Sequence, residues 1–281
     1  MRNKGIGIFD SGVGGLTVLK EIRKLLPEED IFYLGDTARV PYGNRSRDTI
    51  VNYSIQNTGF LIKQGIKLLV VACNTSSSVA LETLRRTFTG LPIIGVIEPG
   101  SEQAVHMTTN MRIGVIGTRA TITSDSYRTA INLLDNGVKV FQQACPLFVP
   151  IVEEGMHRTA LAGDVAEYYL APLKRHGIDT IILGCTHYPA LSPIIKTVMG
   201  SRVTLINSGQ AVAIKTYEYL SGHDLLKDGV QGPDARGRSP VRGHMRFFVT
   251  DDPPQFKKIG RLLLSREIDS NVRKVVLEDH E

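Results

Sequence analysis

Two segments constrain the fold of this chain more than any other feature. Residues 68–81 read LLVVACNTSSSVAL and residues 180–191 read TIILGCTHYPAL. Each begins with a short β-branched and aliphatic run, the composition of a strand buried in a parallel sheet. Each run ends in a small residue and then a cysteine, Ala72-Cys73 and Gly184-Cys185, and a hydroxyl side chain follows within two residues. A helical pattern resumes shortly afterwards. Open parallel sheets bind ligands beyond the carboxyl ends of their strands. A helix starting there presents free N–H groups that favour a thiolate over a thiol. Two such places in one chain point to a pair of sulfurs working on one substrate.

The rest of the chain arranges itself around these segments. Residues 4–9 form a short apolar strand that runs into Asp10-Ser11-Gly12-Val13-Gly14-Gly15, and residues 16–26 have helical spacing. A strand, a glycine-rich turn and a helix form the usual phosphate cradle, but neither GxGxxG nor GK[ST] is present. The glycines instead let Asp10 and Ser11 approach a small polar ligand closely. A second strand at 31–34 precedes the turn-rich loop GDTARVPYG at 35–43, and Ser46 or Asp48 caps a long helix reaching about residue 64. After a strand at 91–96 the pattern restarts near residue 98. A strand at 112–116 ends in Gly117-Thr118-Arg119-Ala120-Thr121, the place that Asp10-Ser11-Gly12 holds in the first half. A helix to about 134, a strand at 138–142, an apolar linker at 146–155 carrying Glu153 and Glu154, and an amphipathic helix at 161–175 lead to the second cysteine strand. The order of elements, rather than residue identity, marks an internal repeat.

A strand at 203–206 and a helix capped by Ser208 follow. Residues 223–243 are Gly/Pro/Arg-rich and without periodicity, as expected of a mobile loop or insertion. A strand at 245–250, a helix at 254–264 and a last strand at 273–277 complete the chain. The expected fold class is α/β, with two similar doubly wound domains of Rossmann or flavodoxin-like type and the active site in the cleft between them. Residues 1–97 with 208–281 form the first domain, and residues 98–207 the second.

Composition excludes several functions. At 42% hydrophobic and 22% charged residues the chain builds ordinary cores and is not disordered. No apolar run approaches the roughly 20 residues that span a bilayer, and the N-terminus lacks a signal-peptide core. A cytoplasmic protein without a membrane partner is expected. The net charge of +5 invites a nucleic-acid reading. Much of it, however, crowds one segment as Arg236, Arg238, Arg242 and Arg246, and no nucleic-acid-binding signature accompanies it. No nucleic acid is expected as a partner.

A single cysteine at a strand end is ordinarily a packing residue. Two in matching positions, each followed within two residues by threonine, shift the balance to function. Zinc is the main rival, since cysteine and His187 are good ligands, but no close Cys/His spacing supplies a fourth ligand and no metal is expected. Cys145, before Pro146, lacks the polar turn and reads as a buried apolar residue. His187 lies two residues after Cys185, where it can tune or relay a proton. Asp10 holds the matching position in the first unit, where an aspartate before a glycine turn also caps a helix.

DSGVGGLTV, the Pro41-Tyr42-Gly43 loop, ACNTSS and GCTHYPAL together resemble the glutamate racemases of the cofactor-independent amino-acid racemase family. The likeness covers nearly the whole chain to about residue 264, apart from the Arg-rich loop. The cysteine motifs alone mark the wider aspartate/glutamate racemase group. The DSGVGG turn, PYG and a histidine after Cys-Thr point to the glutamate branch. The resemblance implies interconversion of L- and D-glutamate by two bases without pyridoxal phosphate, metal or other cofactor, and supply of D-glutamate for peptidoglycan. It makes Cys73 and Cys185 those bases, with Asp10 assisting the first, and His187 and Glu153 the second. It places Ser11, Pro41, Tyr42, Gly43, Asn74, Thr75, Thr118, Thr121 and Thr186 against the substrate, beside Asp10, His187 and the two cysteines. Arg39 is the arginine nearest these motifs. A homodimer is the expected assembly. The alternatives are an aspartate racemase or another two-cysteine isomerase, and, outside enzymes, a nucleic-acid or protein-binding module using the basic loop.

Overall fold

Strand composition and period dictate two parallel sheets. The structure, a computed structural model, describes residues 1–227, 242–264, 268 and 272–278; most of the Arg-rich loop lies outside these residues. In the first sheet β1 (Gly5–Asp10) pairs in parallel with β2 (Ile31–Gly35) on one side and β3 (Ile66–Val71) on the other. The strand β4 (Ile93–Gly95) lies beyond β3. Late in the chain β9 (Met245–Val249) and β10 (Val272–Lys274) return to this sheet beside β2, giving the order β10-β9-β2-β1-β3-β4. The second sheet contains β5 (Arg112–Gly117), β6 (Lys139–Ala144), β7 (Thr180–Gly184) and β8 (Thr204–Ile206) in the order β6-β5-β7-β8, again all parallel. The arrangement β2-β1-β3-β4 is therefore repeated as β6-β5-β7-β8. The internal repeat read from element order is a repeat of topology, and the fold is α/β with two doubly wound halves.

Side-chain alternation explains how each sheet is covered on both faces. Ile6, Ile8, Leu68 and Val70 point to one side, where helix α1 (Leu16–Leu25) and helix α11 (Ser208–Gly222) pack, while Phe9, Leu69 and Val71 point to the other. That other face is closed by α2 (Arg47–Lys63) and α4 (Leu81–Thr87), through residues such as Leu61 and Leu84. In the second sheet Ile113, Val115 and Ile182 join the same core as Ile6 and Ile8, through α5 (Ile97–Met107) and α7 (Ser126–Leu134). One apolar core thus runs through both halves. Each fully buried Ile or Leu in it contributes on the order of 1.5–3 kcal/mol relative to exposure. This shared core joins the two sheets through the helices between them.

Several local expectations change. Ser46, not Asp48, caps α2, its hydroxyl accepting from the Thr49 N–H at 3.3 Å. The helix expected to run to residue 134 is broken into α6 (Arg119–Thr123) and α7 by Asp125, whose φ of 56° is left-handed. Residues 146–155 are not a linker: Phe148–Glu153 form helix α8. Phe148, Val149 and Ile151 are buried there, and Pro150 falls in the first turn, where its missing N–H costs no helix bond. The cap of α11 is Asn207, which accepts from the Gly209 N–H; Ser208 is turned inward instead. No helix of the described residues is long and apolar enough to cross a membrane.

Candidate active site

The polar turns after β1, β3, β5 and β7 meet where the two sheets face each other. Asp10 ends β1 and is fully buried. Its Oδ2 accepts from the Gly12 N–H at 3.0 Å, and its Oδ1 accepts from the Thr186 hydroxyl of the other half at 3.2 Å. From the opposite side Thr75, after β3, reaches Thr118, after β5, with 3.0 Å between their hydroxyls. Thr121 closes a triangle of hydroxyls at 3.3 Å from Thr75 and 3.0 Å from Thr118. Each cysteine segment therefore reaches across to the first strand of the other half. Two glycines permit this closeness. A Cβ on Gly14 would lie 2.4 Å from the Thr186 hydroxyl and 2.7 Å from His187 Nδ1, and one on Gly43 would lie 2.5 Å from Thr118 Cβ.

The two cysteines occupy matching positions but differ in surroundings. Cys73 precedes α3 (Asn74–Val79) and is 4% exposed. Burial and then the charge of Asp10 push its thiol up to about 11, while hydrogen bonds from Ser76 and Ser11 pull the other way. Burial likewise raises Asp10, against the lowering influence of His187 and of N–H groups at Gly12 and Gly15. Cys185 lies 7% exposed, its Sγ 3.8 Å from His187 Nδ1, and His187 Nε2 lies 3.1 Å from Glu153 Oε1 on α8. Burial alone would lower His187, but its hydrogen bonds to Cys185 and Glu153 outweigh that and raise it to about 10. An imidazolium donating from both nitrogens fits this geometry, and it stabilises negative charge on the neighbouring sulfur.

The remaining candidates are distributed unevenly. Ser11, Asn74, Thr75, Thr118, Thr121, Thr186 and His187 are all buried at the junction. Tyr42 is buried too, but its hydroxyl is committed to Asp36 and receives the Asn57 amide at 3.0 Å, which leaves the backbone at Gly43 nearest Thr118. Pro41 is exposed. Arg39 is spent on the same support: its Nε lies 2.6 Å from Asp36 Oδ2, and its guanidinium stacks 3.9 Å over Tyr53. Cys145 directly follows β6 and so is also at a strand end, but among the described residues the only hydrogen bond of its sulfur is a 3.6 Å contact to the Gln143 carbonyl. Sequence reading passed over Tyr127, whose buried hydroxyl donates to Asn74 Oδ1 at 2.7 Å and lies 3.3 Å from the Ser208 hydroxyl. It also passed over Tyr33, which donates to the Gly12 carbonyl at 2.8 Å and fixes the first glycine turn. Among the described residues no group of three or more His, Cys, Asp or Glu is arranged to hold a metal ion.

The two repeated α/β units thus bring Cys73 and Cys185, each following the strand beside the first of its sheet, to a shared buried junction lined with hydroxyls. The model of the Asp/Glu/Hydantoin racemase family matches residues 6–216, and the chain belongs to that family. Within it the chain stands with the glutamate racemases. It is 46% identical to glutamate racemase from Geobacter metallireducens over 275 residues, covering 98% of this chain and 97% of that one. The fold matches glutamate racemase isoform RacE1 from Bacillus anthracis with a TM-score of 0.91 at 39% identity, over 99% of both chains. It matches glutamate racemase from Francisella tularensis in complex with D-glutamate with a TM-score of 0.90 at 35% identity, over the full length of both.

Proposed function

We propose that this protein interconverts L- and D-glutamate with Cys73 and Cys185 acting on opposite faces of the α-carbon, without a cofactor. The observation that carries the reading is the placement of two strand-end thiols from topologically repeated units at one junction, tied by the Asp10–Thr186 and Thr75–Thr118 hydrogen bonds. Removing a weakly acidic α-proton from one face and delivering another to the opposite face requires two groups, one unprotonated and one protonated. In the L-to-D direction a Cys185 thiolate takes the proton and becomes a thiol. The Cys73 thiol gives its proton to the other face and becomes a thiolate. The high position of Cys73 suits the acid, and an imidazolium at His187 suits the base. Buried hydroxyls and N–H groups of Ser11, Asn74, Thr75, Thr118, Thr121 and Thr186 hold the substrate carboxylates and stabilise the charge that develops on removal of the proton.

Each turnover leaves the two sulfurs in exchanged protonation states, so a proton must return before the same direction repeats. We assign its passage to Asp10 at Cys73 and to His187 with Glu153 at Cys185. We take residues 1–97 with 208–281, and residues 98–207, as the two domains whose parting admits the substrate. The physiological role we infer is supply of D-glutamate for peptidoglycan by a cytoplasmic homodimer.

Circular dichroism of purified protein supplied with either enantiomer of glutamate tests the reading. The optical signal is expected to decay to zero from both sides and to be indifferent to EDTA. An unchanged signal, turnover of aspartate alone, or loss on chelation restored by zinc would overturn it.

A further inference from the structure

The buried junction is closed on the side of the Gly43–Thr118 contact, and directly outside that contact lies a cavity of about 490 Å³. Its wall is shared between the halves: Gly43, Arg45 and Arg47 come from the first, and Arg119, Ala120 and Thr123 from the second. No carboxylate lines it. Arg45, Arg47 and Arg119 are exposed, and none makes an ion pair among the described residues, unlike Arg39 with Asp36, Arg85 with Glu98 or Arg128 with Asp125. The hydroxyls behind the contact carry no charge of their own, and Arg39 is held by Asp36. Arginine charge open to a dicarboxylate is therefore concentrated at the mouth rather than in the interior.

We propose that this cavity is a vestibule in which Arg45, Arg47 and Arg119 gather the dicarboxylate substrate before it passes the Gly43–Thr118 contact. The inference rests on the glutamate reading above. A recess lined by one sign of charge focuses the field and raises the local concentration of the opposite ion. Guanidinium groups suit carboxylates well and stay charged at every working pH. The vestibule acts before chemistry, so it lowers KM and leaves the chemical step alone. Its effect is screened once the Debye length falls below the width of the recess.

The test uses the full-length protein with L- and D-glutamate at about 20 mM and about 500 mM ionic strength, where the Debye length falls from ~20 Å to ~4 Å. The triple variant R45Q/R47Q/R119Q is expected to show KM raised about tenfold at low ionic strength, the lower end of electrostatic steering, with kcat within about twofold of the parent. At high ionic strength the two proteins should converge. R45K/R47K/R119K keeps the charge and should behave as the parent does, which separates steering from a shape contact. The proposal is overturned if the glutamine variant keeps the parent's KM and salt dependence, if the lysine variant is as impaired as the glutamine one, or if kcat falls in step. A parent protein inert on glutamate would instead overturn the reading beneath it.

Discussion

Cys73 and Cys185 are the same position in two copies of one topology, and they are not the same chemical group. Both follow the strand next to the first in their sheet, and both are followed by side chains that cross to the other half. Cys73 is backed by a buried carboxyl at Asp10 and by the hydrogen bonds of Ser11 and Ser76. Cys185 is backed by the His187 imidazole, which its hydrogen bonds to Cys185 and to Glu153 raise to about 10 against the effect of burial. Topology fixes where the sulfurs are, and the ionisable side chain beside each, Asp10 at Cys73 and His187 at Cys185, makes their surroundings differ. The pair is asymmetric although its reaction is not: L- and D-glutamate are equally stable, so kcat/KM must be equal in the two directions whatever residue is changed.

That equality decides how the comparison is to be tested. Cys73→Ser and Cys185→Ser should each lower racemisation by about 10³-fold or more, since a serine hydroxyl is far too weak an acid to replace the thiol as a proton carrier. Steady-state racemisation cannot tell the two variants apart. A half-reaction can: elimination of HX from a glutamate analogue with a β-leaving group needs one base only. Each variant should process one enantiomer, Cys185→Ser acting on the D form through Cys73, and Cys73→Ser on the L form through Cys185. Chromatographic assay of the keto product checks this, and two variants with the same preference would sink the opposite-face assignment.

The positions flanking the sulfurs give a smaller effect with opposite signs on stability. Asp10→Asn and His187→Asn should each cost about 10²-fold in turnover, the lower range of general acid–base assistance. His187 is raised to about 10, so the stability it brings is full below its free value near 6.5 and is lost as pH rises through about 10. At pH 7.5 its removal should lower Tm. Asp10 is also raised, by burial, but for a carboxyl this means that stability falls as pH rises above its free value. At pH 7.5, above that free value, burying this carboxyl is a cost, and Asp10→Asn should leave Tm unchanged or higher while activity falls. Thermal unfolding of the two variants at that pH is the measurement, and shifts of the same downward sign would break the contrast.

Much of this arrangement was legible because it is written in short-range pattern. Aliphatic runs ending in Ala-Cys and Gly-Cys announce strands and the turns beyond them, and the order of elements announces the repeat. What could not be read was the support that arrives from far along the chain. Tyr127 reaches Asn74 over 53 positions, and its ring lies on the buried face of α7, where any large apolar residue satisfies the helical period. Arg39 has the sequence look of a substrate arginine, and only the fold shows Asp36 claiming it. The segment 146–155 was misread for a local reason: two prolines and five apolar residues suit a linker, until the prolines fall at and before a helix's first turn.

The smallest effect is expected at the third thiol, and it tests whether a strand-end position alone makes a cysteine a base. Cys145 follows β6 as Cys73 follows β3, so position does not distinguish them. Its surroundings do. It packs with Phe148, Leu170 and Tyr188, the Tyr188 hydroxyl donates to its carbonyl at 2.8 Å, and burial holds its thiol well above the ordinary range. No carboxyl, imidazole or hydroxyl side chain hydrogen-bonds its sulfur among the described residues. Such a thiol stays protonated and apolar, and it lacks any group with which to exchange a proton. Cys145→Ala should therefore keep turnover within about twofold and cost about 1 kcal/mol of stability, the typical scale for a small core deletion. Denaturant unfolding and the racemisation assay, run on the same preparation, give both numbers. If turnover collapsed while stability held, the second half would contain two working thiols, and the one-cysteine-per-repeat comparison would have to be abandoned.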